Sequence, residues 1–177
     1  MNNNSKVRIR NKTISDARKD YNWQTDPELT RLDATIVPDI SFSQYLSECR
    51  FELSCPYSDR KEFAIETLDE KHIGNCVYYD IDWHNGEAQI GIMIGDREYW
   101  DNGYGTDAVN VLISRIFSLT KLKRIYLKTL DWNIRAQKCF RKCGFKQYGR
   151  MARDGYKFLL MEMSREWWQE QQTEKET

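Results

Sequence analysis

The chain has 177 residues and a mass of 21.2 kDa, a size that suits a single domain. Hydrophobic residues make up 40% of it and charged residues 31%, which excludes a disordered or fibrous protein. The 27 Lys and Arg balance the 27 Asp and Glu, which argues against a general binder of nucleic acid or anionic membranes. No apolar run could span a membrane and residues 1–5 carry no hydrophobic signal segment, so we expect a cytoplasmic protein.

The first half of the chain predicts helices followed by an antiparallel meander. Apolar residues at helical spacing indicate the helices, and the Asn85-Gly86 pair is typical of a hairpin turn. Asp26-Pro27 marks either a turn or the start of a short helix. The predicted elements are a strand at Val7–Arg10, a helix at Ile14–Trp23 capped by Ser15, a helix at Ser41–Leu53, and strands at Glu62–Leu68, His72–Ile81 and Glu87–Ile94.

The second half predicts a β-α-β unit and then a hairpin. A strand that follows an amphipathic helix must pair after a crossover, and Gly144 in the C′ position ends the next helix. The predicted elements are a helix at Gly103–Ser118, a strand at Arg124–Leu130, a helix at Asn133–Lys142, and strands at Phe145–Gly149 and Tyr156–Met163 around the Asp154-Gly155 turn. We therefore expect one mixed α/β domain over 1–166 and a polar tail over 167–177 that could form a short helix.

The segment from Tyr99 to Ala108 joins a strand to an amphipathic helix and contains two glycines, Gly103 and Gly105. Glycines in this position let backbone N–H groups approach an anion, and the helix that follows directs its positive end to the same point. A phosphate or pyrophosphate would fit there, although a tight turn before a helix is the alternative. A Walker motif is missing and the Rossmann fingerprint is incomplete, so we expect neither nucleotide hydrolysis nor dinucleotide binding.

A second motif follows the segment from Tyr99 to Ala108, which we call the glycine loop. It consists of Asn133-Ile134-Arg135-Ala136, with Gly144-Phe145 after it. Together with Trp100, Gly103 and Gly105 it resembles the GCN5-related N-acetyltransferases (GNAT), over roughly Val7 to Met163. The similarity is to the branch of ribosomal-protein alanine and spermidine acetyltransferases in particular. It implies a GNAT fold, with a mostly antiparallel mixed sheet of six to seven strands and about four helices.

The resemblance also implies acetyl-CoA as co-substrate and no metal. The pyrophosphate would lie on the glycine loop, and the pantetheine arm would lie beside Asn133 and along the splayed strand that begins at Gly91. The five cysteines form no CxxC pair or histidine cluster and are expected to pack, Cys139 and Cys143 included. The implied cofactor-binding residues are Ile92, Met93, Ile94, Asn102, Gly103, Tyr104, Gly105, Thr106, Asn133, Ala136 and Phe140.

Direct acetyl transfer to a primary amine needs a proton acceptor, and here the sequence departs from the family pattern. Many relatives have Glu at the position of Gln89, and Tyr, the usual proton donor, at that of Phe140. Glu87 points to the same face as Gln89 and is the first candidate acceptor, and Asn133 is the second residue assigned a catalytic role. The next candidate acceptors are Asp80, Asp82 and His84.

Charge is unevenly distributed along the chain. Residues 121–150 hold ten Lys or Arg and one acid, whereas residues 59–101 hold eleven acids and four bases. One surface could attract the phosphorylated cofactor and another a cationic amine, such as a polyamine, another small amine or a protein N-terminus. The alternative explanation of the charges is that they lie on solvated helix faces. The alternative function is an acyl-CoA-binding sensor or partner-binding module with little turnover. Trp167 and Trp168 either pack at a homodimer contact or cap the core.

Overall fold

A computed structural model describes residues 5–176 and confirms a mixed α/β fold built on a single sheet. Its strands are β1 (Val7–Asn11), β2 (Arg60–Thr67), β3 (His72–Asp82), β4 (Glu87–Ile94), β5 (Arg124–Leu130), β6 (Lys146–Arg153) and β7 (Tyr156–Ser164). They lie in the order β1-β2-β3-β4-β5-β7-β6. Neighbouring strands are antiparallel except β4 and β5, which are parallel, as the predicted crossover requires.

The described residues form six α-helices, so the expected number of about four is too low. Asp26 caps one of the additional helices, because its carboxylate accepts hydrogen bonds from the amides of Glu28 and Leu29 and Pro27 occupies the first turn. The helices are α1 (Ala17–Gln24), α2 (Pro27–Leu32), α3 (Phe42–Ser54), α4 (Tyr104–Leu119), α5 (Ile134–Lys142) and α6 (Arg165–Glu176), with 3-10 turns at Ile14–Asp16 and Arg97–Tyr99.

The core lies between the sheet and α4. Leu112, Ile113 and Ile116 of α4 are fully buried, and they pack in one cluster with Ile65 of β2 and Ile125 of β5. The apolar face predicted for this helix therefore meets the apolar face of the sheet, which removes both from water. Burial of this helix fixes the position of its N-terminus, where the glycine loop lies.

One local prediction needs correction: Thr13, not Ser15, begins the first helical segment, since Thr13 and Asp16 form a reciprocal capping box. The polar tail, for which a short helix is an option in the sequence, lies within α6. There Trp168 packs on Phe117 with ring centroids 5.4 Å apart and so caps the core. None of the helices within residues 5–176 is long and apolar enough to cross a membrane.

Candidate active site

A cavity of about 630 Å³ opens where β4 and β5 separate. The parallel ladder begins at Glu87 and ends at the pair Gln89–Tyr126. β4 nevertheless continues to Ile94 in register with β3. Beyond Gln89, the backbone groups of β4 that point away from β3 therefore face the cavity instead of a neighbouring strand, and they can bind a ligand.

The glycine loop brings the N-terminus of α4 to the same cavity. Gly103 is the N-cap residue and has a φ of 83°, a left-handed conformation that favours glycine. Among the described residues no side chain caps this end of α4. The N–H groups of its first turn are therefore directed at the cavity, together with the positive end of the helix dipole, and this arrangement suits an anion.

Helix α5 forms a second wall of the cavity. Asn133 is its N-cap, since Oδ1 accepts a hydrogen bond from the amide of Ala136 at 3.2 Å. The buried Gln137 side chain donates to the carbonyls of Leu130 and Asp131, at 3.0 and 2.9 Å, and so fixes α5 to the end of β5. Asn133 thus has a clear structural role at the place where the sequence motif predicts a cofactor contact.

Basic side chains surround the end of the cavity near the glycine loop. The Arg135 guanidinium lies 3.6 Å from the centre of the Trp100 ring, and Trp100 Nε1 donates to the Ile94 carbonyl at 2.6 Å. Lys6 Nζ donates to the carbonyl of Asn102 at 2.9 Å. The basic residues of α5 that line the cavity are Arg135, Lys138 and Lys142. This end is therefore electropositive, which favours phosphate groups.

At the Gln89 end of β4 the cavity is also polar, and its charged lining residues include an acid as well as a base. Gln89 is buried, stands opposite Tyr79 on β3, and donates a hydrogen bond to the Tyr79 hydroxyl. Burial is the main cause that raises the pKa of Tyr79 to about 12, so this phenol stays protonated at neutral pH. Lys128 of β5 and Asp33, which directly follows α2, line the same region.

Glu87, the first candidate proton acceptor, lies outside the lining of this cavity. Its Oε2 accepts from Arg124 Nη1 at 2.9 Å, and Arg124 Nε also donates to Glu162 at 2.6 Å. Glu87 and Arg124 are in register on strands that are still paired at this point. The structure therefore keeps Glu87 in an ion pair before the strands separate, and only Gln89 reaches the cavity.

The other predicted site residues fall into two groups, those that line the cavity and those that do not. Every implied cofactor residue lines the cavity except Asn102, whose side chain donates to the Glu98 carbonyl at 3.3 Å, and Tyr104, which packs edge-on against Tyr99. Phe140 is buried and packs on Phe145. The remaining candidate acceptors lie outside the lining and are exposed where β3 turns towards β4, namely Asp80, Asp82 and His84.

Comparison with known proteins agrees with this geometry. Residues 6–146 match the family model described as an acetyltransferase (GNAT) domain. The chain is 29% identical over 146 residues to an N-acetyltransferase p20 of Bacillus licheniformis, covering 81% of each protein. It is 32% identical over 85 residues to a spermine/spermidine N(1)-acetyltransferase of Bacillus subtilis, covering 48% of this chain and 56% of that one.

Solved structures share the fold at low sequence identity. The spermidine N-acetyltransferase of Vibrio cholerae, in complex with CoA and spermine, superposes with a TM-score of 0.85 at 19% identity, covering 94% of this chain and 99% of the other. The aminoglycoside acetyltransferase AAC(6')-Ib with coenzyme A gives a TM-score of 0.76 at 17% identity, with coverage of 94% and 99%. The chain therefore belongs to the GNAT acetyltransferase family and is an acetyl-CoA-dependent N-acetyltransferase.

Proposed function

We propose that the acceptor is a primary amine of a small cationic molecule of the polyamine class. The observation that carries this proposal is the Asp33 carboxylate, which lines the cavity together with Lys128 at the Gln89 end of β4, away from the basic residues beside the glycine loop. A carboxylate in the wall of a cavity favours an ammonium group over a neutral ligand. The names of the Bacillus subtilis and Vibrio cholerae proteins, which act on spermine and spermidine, support the same class.

Acetyl-CoA would occupy the cavity with its pyrophosphate on the first-turn N–H groups of α4, at Gly103, Gly105 and Thr106. The uncapped helix end and the absence of Cβ atoms at the two glycines leave space for such an anion. The pantetheine arm would pair with the backbone of Ile92, Met93 and Ile94, as a strand would. Ala136 and Phe140 would pack against it from α5, where both line the cavity.

The reaction requires a neutral amine next to the thioester carbon and donors for the developing oxyanion. Backbone N–H groups of β4 that face the cavity past Gln89 can serve as those donors, because β5 no longer pairs with them there. Gln89 is uncharged and cannot accept the ammonium proton. Phe140 carries no hydroxyl, so the thiolate of CoA leaves without a positioned acid at that site; free thiols ionise at about pH 8.5, which makes this step accessible.

An acceptor screen tests the proposal. The protein is incubated with acetyl-CoA and spermidine, spermine, an aminoglycoside or a peptide with a free N-terminus, and thiol release and product mass are followed. We expect release with the polyamines above that with the peptide. Release with the peptide alone would refute the polyamine class, and acetyl-CoA binding without release for any amine would favour the alternative of a binding module.

A homodimer and a cytoplasmic location remain predictions. Trp168 is used within the core of one chain, so it does not argue for a dimer. Sedimentation velocity at micromolar concentration measures the oligomeric state directly, and a single species at the monomer mass would exclude the homodimer.

A further inference from the structure

The end of α2 holds Asp33 beside the cavity in a defined backbone conformation. The Ala34 amide donates to the Arg31 carbonyl at 3.3 Å, and the Thr35 amide donates to the Thr30 carbonyl at 2.9 Å. With Ala34 at a φ of 54°, these two bonds form a Schellman motif in which Asp33 is the C-cap. The cavity is lined by the three residues that leave this helix, Asp33, Ala34 and Thr35.

Groups from several elements face this carboxylate. Tyr79 of β3, Lys128 of β5 and Arg60 of β2 lie close enough to interact with it electrostatically. From the turn between β6 and β7 the cavity is also lined by Arg153, Asp154 and Tyr156. Asp80, the neighbour of Tyr79 in β3, interacts with it more strongly than Asp33 does, but Asp80 lies outside the cavity lining. Asp33 is therefore the cavity-lining carboxylate that interacts with Tyr79, the partner of Gln89.

The surroundings of Asp33 raise its pKa towards neutral pH, where proton transfer from an amine would take place. Asp33 as a residue is exposed, but desolvation of its carboxyl group by the surrounding protein raises its pKa to about 6, and the opposing effects of Lys128 and Arg60 are smaller. Its place at the end of α2 acts in the same direction, because an anion is disfavoured at a helix C-terminus. A carboxylate with this pKa is ionised at neutral pH and can still hold a proton taken from an ammonium group.

Two other carboxylates line the cavity and are less suited to the role. Asp154 lies in the turn between β6 and β7 and accepts a hydrogen bond from Arg153 at 3.1 Å, so its charge is already paired. Asp101 belongs to the glycine loop, at the end of the cavity where the phosphates are expected. Neither is next to the separation of β4 and β5, where the thioester would lie.

We propose that the Asp33 carboxylate binds the ammonium group of the acceptor and removes its proton. The inference rests on the proposed acetyl transfer to a cationic amine. One proton passes from the ammonium to Asp33, and the nitrogen lone pair then forms the C–N bond while the C–S bond breaks. The electron pair of that bond leaves on the CoA sulfur, which takes the second nitrogen proton to give the amide and free CoA. Asp33 finally returns its proton to solvent.

The test compares Asp33→Asn with Asp39→Asn, a change at an exposed carboxylate in the same connection that does not line the cavity. With spermidine as acceptor, we expect Asp33→Asn to lower kcat/KM by about 10² to 10⁴ at pH 7. In the wild type kcat/KM should fall as pH decreases through about 6, and this limb should be absent in Asp33→Asn. Asp33→Glu should restore part of the activity, and Asp39→Asn should behave as wild type.

Acetyl-CoA affinity, measured by calorimetry, should be unchanged in Asp33→Asn, which separates a role towards the amine from damage to the fold. An unchanged acidic limb in this variant would overturn the inference. If the wild type acetylates no amine in the screen, the proposed acceptor class fails. Asp33 is then tested by carbon-13 NMR titration of labelled aspartate with and without spermidine: a carboxyl signal that vanishes in Asp33→Asn and titrates at lower pH when spermidine is present supports ammonium binding by Asp33, and a titration that spermidine does not change refutes the inference.

Discussion

Gly105 leaves space in the first turn of α4 where the phosphates of acetyl-CoA are expected. A Cβ atom at this position would lie 3.7 Å from Ile94 Cγ1 and 3.8 Å from Cys139 Sγ, which are ordinary contacts. The protein can therefore fold with a larger residue here, and the cost of that residue falls on the ligand. A substitution at Gly105 can therefore change ligand binding without changing the stability of the fold.

We expect Gly105→Val to weaken acetyl-CoA binding at least about tenfold, because the branched side chain would occupy the space beside the first-turn N–H groups. Gly105→Ala should have a smaller effect, since its one added carbon is accommodated by the existing contacts. Calorimetric titration measures both affinities, and thermal unfolding confirms that both variants are folded. Unchanged affinity in a folded Gly105→Val protein would remove the glycine loop from the cofactor site.

The ion pair between Glu87 and Arg124 leads to a prediction for turnover when Glu87 is changed. Glu87→Gln should leave turnover and its dependence on pH nearly unchanged, because Arg124 holds this carboxylate outside the cavity and keeps Glu162 as a partner after the change. Steady-state turnover against pH, measured beside Asp33→Asn, checks the difference. A loss in Glu87→Gln as large as that in Asp33→Asn would return Glu87 to the proton path.

Among the elements, α6 and the end of α4 depend on one another through Arg165. The Arg165 guanidinium donates to the carbonyls of Leu122 at 2.8 Å and Thr120 at 2.9 Å, and also to that of Phe117. A cation here satisfies carbonyls that the helix end leaves without partners and complements the negative end of the dipole. The helix after residue 164 is thus part of the packing that holds α4 in place.

We expect Arg165→Ala to lower the free energy of unfolding by about 2 kcal/mol, the scale of lost hydrogen bonds to a charged donor. Arg165→Lys should recover part of this loss, since one ammonium cannot reach all three carbonyls. Urea unfolding gives the values, with Arg153→Ala, an exposed arginine, as the control. A stability equal to wild type in Arg165→Ala would show that α6 does not support α4.

The left-handed residue at the end of α2 leads to a prediction for the free energy of unfolding. Ala34 has a φ of 54°, a left-handed conformation that costs a residue with a Cβ atom about 1–2 kcal/mol. Ala34→Gly should therefore raise the free energy of unfolding, by less than this cost because glycine also makes the unfolded chain more flexible. Urea unfolding measures it, and a lower stability in Ala34→Gly would contradict the Schellman geometry.

For the molecule as a whole, a buried network of charges joins β1, β2 and β3 to the first helical segment. Arg10 donates to Asp16 at 2.7 Å, and its Nε also pairs with Glu66. Lys12 pairs with Asp20, and further contacts within the network come from His72 and Asn75. The network fixes the first helical turn and α1 to β1, β2 and β3.

This network predicts a loss of stability in acid. Burial acts to raise the pKa of Asp16, but the hydrogen bonds from Arg10 and Thr13 outweigh it and lower the pKa. Burial lowers the pKa of His72, so folding favours its neutral form. The stability from His72 is lost as pH falls below about 6.5, the value for an unfolded histidine, and that from Asp16 as pH falls below about 4.

We therefore expect the free energy of unfolding to decrease from neutral pH towards pH 3. Asp16→Asn should be less stable than wild type at pH 7 and should lose less stability below pH 4, since it lacks the carboxylate that must be protonated. Urea unfolding at a series of pH values checks this, with Asp39→Asn as the exposed control. Parallel curves for wild type and Asp16→Asn would contradict the assignment.

The sequence by itself determined the elements whose signals are local. Strands β4 and β5 have the predicted bounds, and Gly144, with a φ of 93°, ends α5 as predicted, because hydrogen bonding and backbone conformation within a few residues decide these features. The family motifs likewise consist of near neighbours, so they revealed the acetyltransferase family and its glycine loop before any contact across the fold was known.

Only the tertiary structure decided which acidic residues reach the cavity. Glu87 and Gln89 share a face of β4, but the paired strand places Arg124 beside Glu87 and then diverges, so the two positions have different surroundings. Asp33 lies 56 residues before Gln89, and no local pattern marks it. It becomes a candidate because the end of α2 lines the same cavity as Tyr79, and contacts between distant segments depend on the whole core.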